Sequence, residues 1–243
     1  MRRLLSVSAC MMATICTGMG VLAAMERQAT VARLVVWEPK PGMEKDFEDG
    51  YKRHLEWHRR NDDRWAWDGW TITSGDRDGY FVDGTFFRTW SELDNPVNPA
   101  ADGANNAVIV EPYASVRAVS VYDELLDLSN LRPEQLRLPL MTFCYLEVAP
   151  GRGEEFEGLI GKAIADGNRQ LPHAIFRSAT EVSRYLVMLP AEHPSSLREQ
   201  AEFMSRLLQA TAHEGRANLV EHIHEETARH RPELSYAPER RLP

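Results

Sequence analysis

Two histidines four residues apart, His54 and His58, carry the spacing in this chain best suited to chemistry. Residues i and i+4 of a helix share a face, so the two imidazoles would stand side by side. Histidine changes charge near neutral pH, which suits a general base or a proton shuttle. Its ring nitrogens also hold divalent metals or the iron of haem. The run His54-Leu55-Glu56-Trp57-His58 does not put its glutamate directly after the first histidine, as a zinc-protease helix does. The pair also fits two hydrogen-bonded histidines at a partly buried helix edge.

Other groupings offer further candidates. His222 and His224 are spaced i, i+2, which points both to one face of a strand. With Glu221, Glu225 and Glu226 beside them they are candidate ligands for a divalent metal, although a strand edge of solvated His and Glu accounts for them as well. All six tryptophans lie between residues 37 and 90, and the second half has none. Trp37, Tyr51, Trp67, Trp70 and Trp90 are therefore the candidate ligand-binding residues, because small-molecule pockets are commonly lined by aromatics. A larger packed core in that half would use the same residues. The turn at Asp76-Arg77-Asp78 is explained by its flanking glycines. The polar, Pro-containing stretch from Asp94 to Gly103 reads as a surface loop or the lid of a pocket. There is no Gly-rich phosphate loop, nucleophile elbow or Cys-rich metal knuckle.

The elements that must position these residues come in two copies. Pro41-Gly42-Met43-Glu44-Lys45-Asp46-Phe47-Glu48 recurs 109 positions later as Pro150-Gly151-Arg152-Gly153-Glu154-Glu155-Phe156-Glu157. Each copy follows a β-branched or apolar run and opens an amphipathic helix. The first helix is expected over Met43 to Arg60, with Phe47, Tyr51, Leu55 and His58 at helical spacing. Strands are expected at 31–37, 65–73, 80–90 and 116–122, with an irregular or weakly helical stretch at 95–106. The second copy repeats the order: strand 141–148, helix 154–169, a hairpin at 173–178 and 183–189, helix 195–214 and strand 219–227. At the positions of His54 and His58 it has Ala163 and Gly167.

The expected fold class is thus α+β: two tandem ferredoxin-like β-α-β-β-α-β units at 30–123 and 140–228. A linker at 124–139 joins them, and an extended surface tail follows at 229–243. One such unit leaves one sheet face bare, and two copies can bury their bare faces together. The strand, the Pro-Gly-x-x-x-acidic-Phe-Glu segment and the amphipathic helix resemble the dimeric α+β barrel superfamily. That group includes antibiotic-biosynthesis-type monooxygenases, NIPSNAP-like proteins and haem-handling relatives. The resemblance covers nearly all of residues 31–227, once per half. It implies an intrachain pseudo-dimeric α+β barrel whose reactive pocket lies between helices and sheet, which makes His54 and His58 the candidate catalytic residues. The superfamily also pairs such domains between chains, so a homo-oligomer is open.

Residues 1–24 read as a signal peptide, with Arg2 and Arg3 before an uncharged run and small residues at its exit. Cleavage is expected near Ala23 or Ala24, giving a periplasmic or secreted protein; an uncleaved anchor is the alternative. Cleavage removes Cys10 and Cys16 and leaves Cys144 in an apolar run, where it reads as a small core residue. Losing Arg2 and Arg3 takes the formal charge from −8 to −10. An acidic surface argues against nucleic-acid binding, and no further segment is apolar and long enough to span a membrane.

Three functional readings follow. The first is a small-molecule-binding protein with its ligand in the Trp-rich half. The second is a cofactor-light oxygenase or haem-handling enzyme using His54 or His58. The third is a protein-interaction platform with an exposed aromatic patch. Haem or a divalent metal is compatible with the second and not required by it.

Overall fold

The computed structural model describes residues 30–167, 171–212 and 219–238. The leader expected at 1–24 lies outside the described residues, as do Cys10, Cys16 and residues 239–243. No helix among the described residues is long and apolar enough to cross a membrane.

The first half consists of β1 (Val31–Pro39), α1 (Glu44–Arg60), β2 (Asp68–Ile72), β3 (Phe81–Arg88), α2 (Trp90–Leu93), α3 (Pro99–Ile109) and β4 (Ala114–Glu124). The second consists of β5 (Leu140–Val148), α4 (Gly153–Asp166), β6 (Ala174–Ser178), β7 (Arg184–Ala191), α5 (Leu197–Thr211) and β8 (Val220–His230). The eight strands close into one antiparallel barrel in the order β1-β3-β2-β8-β5-β7-β6-β4. The halves join where β2 meets β8 and where β4 meets β6. Closure leaves no unpaired sheet edge.

Alternation along the strands sorts the core into layers. Ala32, Leu34 and Val36 of β1 meet Met141 and Phe143 of β5 inside the barrel, with Trp70, Phe86 and Phe176. The alternate residues point to the helices. Val35 and Trp37 pack with Phe47, Tyr51 and Leu55 of α1. Cys144, Leu146 and Val148 pack with Phe156, Ile160 and Ile164 of α4 and Phe203, Met204 and Leu207 of α5. The repeated Pro-Gly turn is conformationally the same in both copies: Gly42 and Gly151 both have φ 77°, which favours glycine. The following residues, Met43 and Arg152, have φ −112° and −109°.

Two segments differ from the sequence reading. The stretch at 95–106 is mostly ordered helix, since α3 begins at Pro99 after Asn98 adopts the left-handed region at φ 37°. Proline suits the first helical position because its φ is already set. The small side chains of α3 form no apolar stripe, so periodicity did not reveal it. α3 instead lies close over α1, where Gly50 leaves room for the Ile109 carbonyl; a methyl group at residue 50 would collide with that oxygen. The tail is not an extended surface strap from Arg229. β8 continues to His230, and the chain then turns back onto the first half. Leu234 and Tyr236 are buried in the α1 layer, and Tyr236 exchanges both backbone hydrogen bonds with Trp67 at 2.7 and 2.8 Å.

Candidate functional site

α1 delivers His54 and His58, one turn apart, to the side facing the sheet. Acidic residues in its first turn (Glu44, Asp46) and basic ones in its last suit the helix dipole. Phe47, Tyr51 and Leu55 anchor the helix on Trp37 and Phe81. The two histidines ride on the same buried stripe and are each only 4 % exposed. Their Nε2 atoms face each other at 3.1 Å.

Three polar side chains surround the pair. Asp102, carried by α3, places Oδ1 3.2 Å from His54 Nε2 and 3.8 Å from His58 Nε2. Asn105, one turn further along α3, places its carbonyl oxygen 2.9 Å from His54 Nδ1. Asp63, just beyond α1, lies with Oδ2 2.8 Å from His58 Nδ1, although the ring is turned so that its N–H does not point at that oxygen. Asp63 is itself fixed by the Trp65 amide N–H at 3.0 Å and the Trp67 indole N–H at 2.9 Å. Burial opposes its charge, but His58 and these two donors outweigh burial and hold the carboxyl below the usual aspartate range. Tyr236 closes the group from the tail, donating its hydroxyl to the Asp63 carbonyl at 2.8 Å.

Two cavities meet at this cluster. One, of about 240 Å³, is lined by Trp37, Tyr51, Asp83, His54, His58 and Asp102 among others. The other, of about 390 Å³, opens between Trp65, Trp67, Trp90 and the 93–99 segment. Arg33, His58, Trp67, Pro99 and Asp102 line both. Arg33 holds its guanidinium 5.9 Å from the Trp67 ring centre and makes no ion pair among the described residues. Of the aromatics singled out from sequence, Trp37, Tyr51, Trp67 and Trp90 line these cavities. Trp70 does not: it is fully buried inside the barrel against Phe86 and Phe143, because β2 alternation turns it to the opposite sheet face.

His222 and His224 form no comparable cluster. His224 Nε2 bonds Glu226 at 2.8 Å, and Glu226 also takes two bonds from Arg77 at 2.7 and 2.5 Å. His222 is exposed opposite Glu147. A cavity of about 360 Å³ at that end of the barrel includes Arg77, Arg184, Glu147 and His224, and these charges are already paired. The only His/Cys/Asp/Glu group among the described residues with metal-binding convergence is His54, His58 and Asp102. Asp63, Asp102 and Asn105 were not recognisable as site residues from sequence, since they meet α1 only through the fold.

His54 Nε2 and His58 Nε2 thus lie within 3.1 Å of each other with Asp102 Oδ1 beside them, all three on the wall of the smaller cavity.

No family model matches the sequence, and no curated protein matches it. Solved structures do match in fold. A Fusobacterium nucleatum protein described as a monooxygenase superposes with a TM-score of 0.61 at 11% identity, over 83% of this chain and 92% of that one. Chlorite dismutase from Candidatus Nitrospira defluvii, in complex with imidazole, gives 0.55 at 6% identity, over 88% and 96%. An anthrone oxidase-like protein gives 0.51 at 11%, over 89% and 97%. At these identities the likeness establishes architecture alone. The chain has the dimeric α+β barrel fold, with a polar His-His-Asp cluster set between its first helix layer and its sheet.

Proposed function

We propose that this chain is an oxygenase-type enzyme that oxidises a small aromatic molecule at the His54–His58 pair. The observation that carries this reading is the pair itself: two buried imidazole nitrogens 3.1 Å apart at the junction of two aromatic-lined cavities. Fold neighbours described as a monooxygenase and as anthrone oxidase-like support the class. Arg33 suits a substrate carrying an anionic oxygen, since a guanidinium free of an ion-pair partner favours such a group. The reaction class would convert an activated CH2 to C=O, with one atom of O2 entering the product and the other leaving as water. The substrate supplies the electrons, so no external reductant is required. A non-catalytic binder would use the same cavities and polar groups and is separated from the enzyme by the oxygen-uptake test below. A protein-interaction platform has less support, because Trp37, Trp65, Trp67 and Trp70 are buried and only Trp90 of the described tryptophans is exposed.

We further infer that the halves are tandem ferredoxin-like units acting as an intrachain pseudo-dimer. The matched Pro-Gly turns and the shared strand order support this. Export through the 1–24 leader belongs to the same proposal and is checked by the N-terminal mass of protein recovered from an exporting host. The function is tested by oxygen uptake with an anthrone as probe. Wild type is expected to consume O2 with product formation, and His54→Ala and His58→Ala to lose at least tenfold while remaining folded. Undiminished uptake in both variants would refute the assignment.

A further inference from the structure

No lysine or arginine among the described residues forms an ion pair with Asp102, whose carboxylate faces His54 and His58. Asn105 accepts from His54 Nδ1 at 2.9 Å, so His54 carries its proton there and presents a lone pair at Nε2. That lone pair faces the Asp102 carboxylate at 3.2 Å. If neutral His58 carries its proton on Nδ1, a second lone pair meets the first at 3.1 Å. If it carries the proton on Nε2, a lone pair at Nδ1 faces Asp63 at 2.8 Å. Asp102 Oδ1 is buried and without a hydrogen-bond donor. Such a group is costly to leave unmatched.

We propose that His54 Nε2, His58 Nε2 and Asp102 Oδ1 bind one divalent transition-metal ion of the Zn2+ or Fe2+ class. The distances between the three atoms are 3.1, 3.2 and 3.8 Å. A point equidistant from all three lies about 2.0 Å from each, the circumradius of that triangle, which matches metal–nitrogen and metal–carboxylate bonds. Two imidazoles and one carboxylate form a donor set used for such ions, with further positions left for water or substrate. All three residues line the 240 Å³ cavity, so a further ligand position opens on it. The partner behind one ligand also fits: Asn105 accepts from His54 Nδ1 and so fixes its tautomer, as outer groups do around metal-bound histidines.

This assignment rests on the same site as the proposed function but is read out without turnover. The mature chain is stripped with a chelator and titrated with Co2+, followed by visible absorption, and then with Zn2+ in competition. The expected result is one equivalent of Co2+ with d–d bands, displaced by Zn2+. Asp102→Asn is expected to weaken binding at least tenfold and His58→Ala to abolish it, while a His222→Ala/His224→Ala double variant binds as wild type. Metal-free Asp102→Asn should melt higher than metal-free wild type, because its amide can donate to His54 Nε2; with metal the order should reverse. A purely structural Asp102 would give no such reversal. Absence of stoichiometric binding, or binding untouched by Asp102→Asn, overturns the proposal; since Asp102 is partly exposed, that variant decides even if His58→Ala fails to fold. Oxygen uptake by a chain that binds no Co2+ would overturn the metal assignment and leave the oxygenase reading standing. Metal binding without uptake would do the opposite.

Discussion

Glu124 should make the seam between the halves sensitive to pH. It ends β4 and pairs in register with Phe176 of β6, in a junction of only three residue pairs. It is 7 % exposed, and it forms no ion pair among the described residues. Burial drives its pKa from 4.5 to about 7, opposed only by a hydrogen bond from Ser129. The folded state therefore holds a proton that the unfolded chain releases above pH 4.5. Below pH 4.5 both states are protonated and the residue costs nothing. From pH 4.5 to 7 the folded state binds more protons than the unfolded one, so stability falls as pH rises, then levels off above 7. A shift of roughly 2.5 units at 1.36 kcal/mol each gives a loss of about 3 kcal/mol. Glu124→Gln removes the titration. The variant and wild type should be separated by a constant offset near pH 4.5, and the variant should gain about 3 kcal/mol on wild type by pH 8. For a chain of this size that is roughly 6–12 °C in Tm. Urea unfolding followed by circular dichroism at pH 4.5, 6 and 8 measures it, and the difference between the proteins cancels every other titrating group. A difference that does not change with pH would refute the reasoning.

Further outcomes follow from other contacts. Gly50→Ala forces α3 away from α1, because the new methyl meets the Ile109 carbonyl; it should lower Co2+ affinity at least tenfold with His54, His58 and Asp102 all intact, and unchanged affinity would show that helix spacing does not set the site. Cys144 is buried, and burial together with the nearby Glu225 charge pushes its thiol up to about 12. A thiol reagent at pH 8 should label it only at the rate of unfolding, and fast labelling of native protein would contradict its placement. Ending the chain at Arg231 removes buried Leu234 and Tyr236 and should cost about 3–5 kcal/mol in urea unfolding, whereas a surface strap would cost nothing measurable. Trp37→Phe removes the indole donor held 2.6 Å from buried Asp83 and should cost about 1–3 kcal/mol by the same assay.

How far the sequence was legible depended on whether a feature was local. The Pro-Gly turns, the strand runs at 31–37 and 141–148 and the helical spacing of Phe47, Tyr51, Leu55 and His58 are local patterns, and each appears in the fold where it was read. His54 and His58 were legible as a same-face pair for the same reason. Asp102 was not: it sits 44 positions beyond His58 on a helix built of alanine, asparagine and glycine, without a stripe to announce it. Trp70 was misplaced because residue type says that an aromatic packs, while the strand's phase decides on which face. The tail was misread because its prolines suggested an unpaired strap, whereas Pro232 opens a short turn that returns Leu234 and Tyr236 to the core.

The contrast between α3 and α5 gives a physical reason why only one half carries the cluster. α5 buries Phe203, Met204 and Leu207 against α4, filling the space over that helix with large apolar side chains. At the corresponding end of α4, a Cβ at residue 167 would stand 3.0 Å from the Ala163 carbonyl of its own helix and 3.4 Å from Arg206 of α5. In the first half α3 buries none of its residues fully, and its small side chains leave cavities over α1. That vacated volume is what admits two imidazoles and lets Asp102 and Asn105 reach them. Packing of the kind α5 provides contributes stability, while polar convergence of the kind α3 provides costs stability unless a ligand or ion completes it. The second half thus stabilises a barrel that the first half uses. Replacing a small cavity-lining residue of α3 with a large apolar one, for example Gly103→Leu, where a side chain meets open space, should therefore abolish Co2+ binding without lowering Tm; a variant that still bound the ion normally would show that the cavity over α1 is not what the site requires.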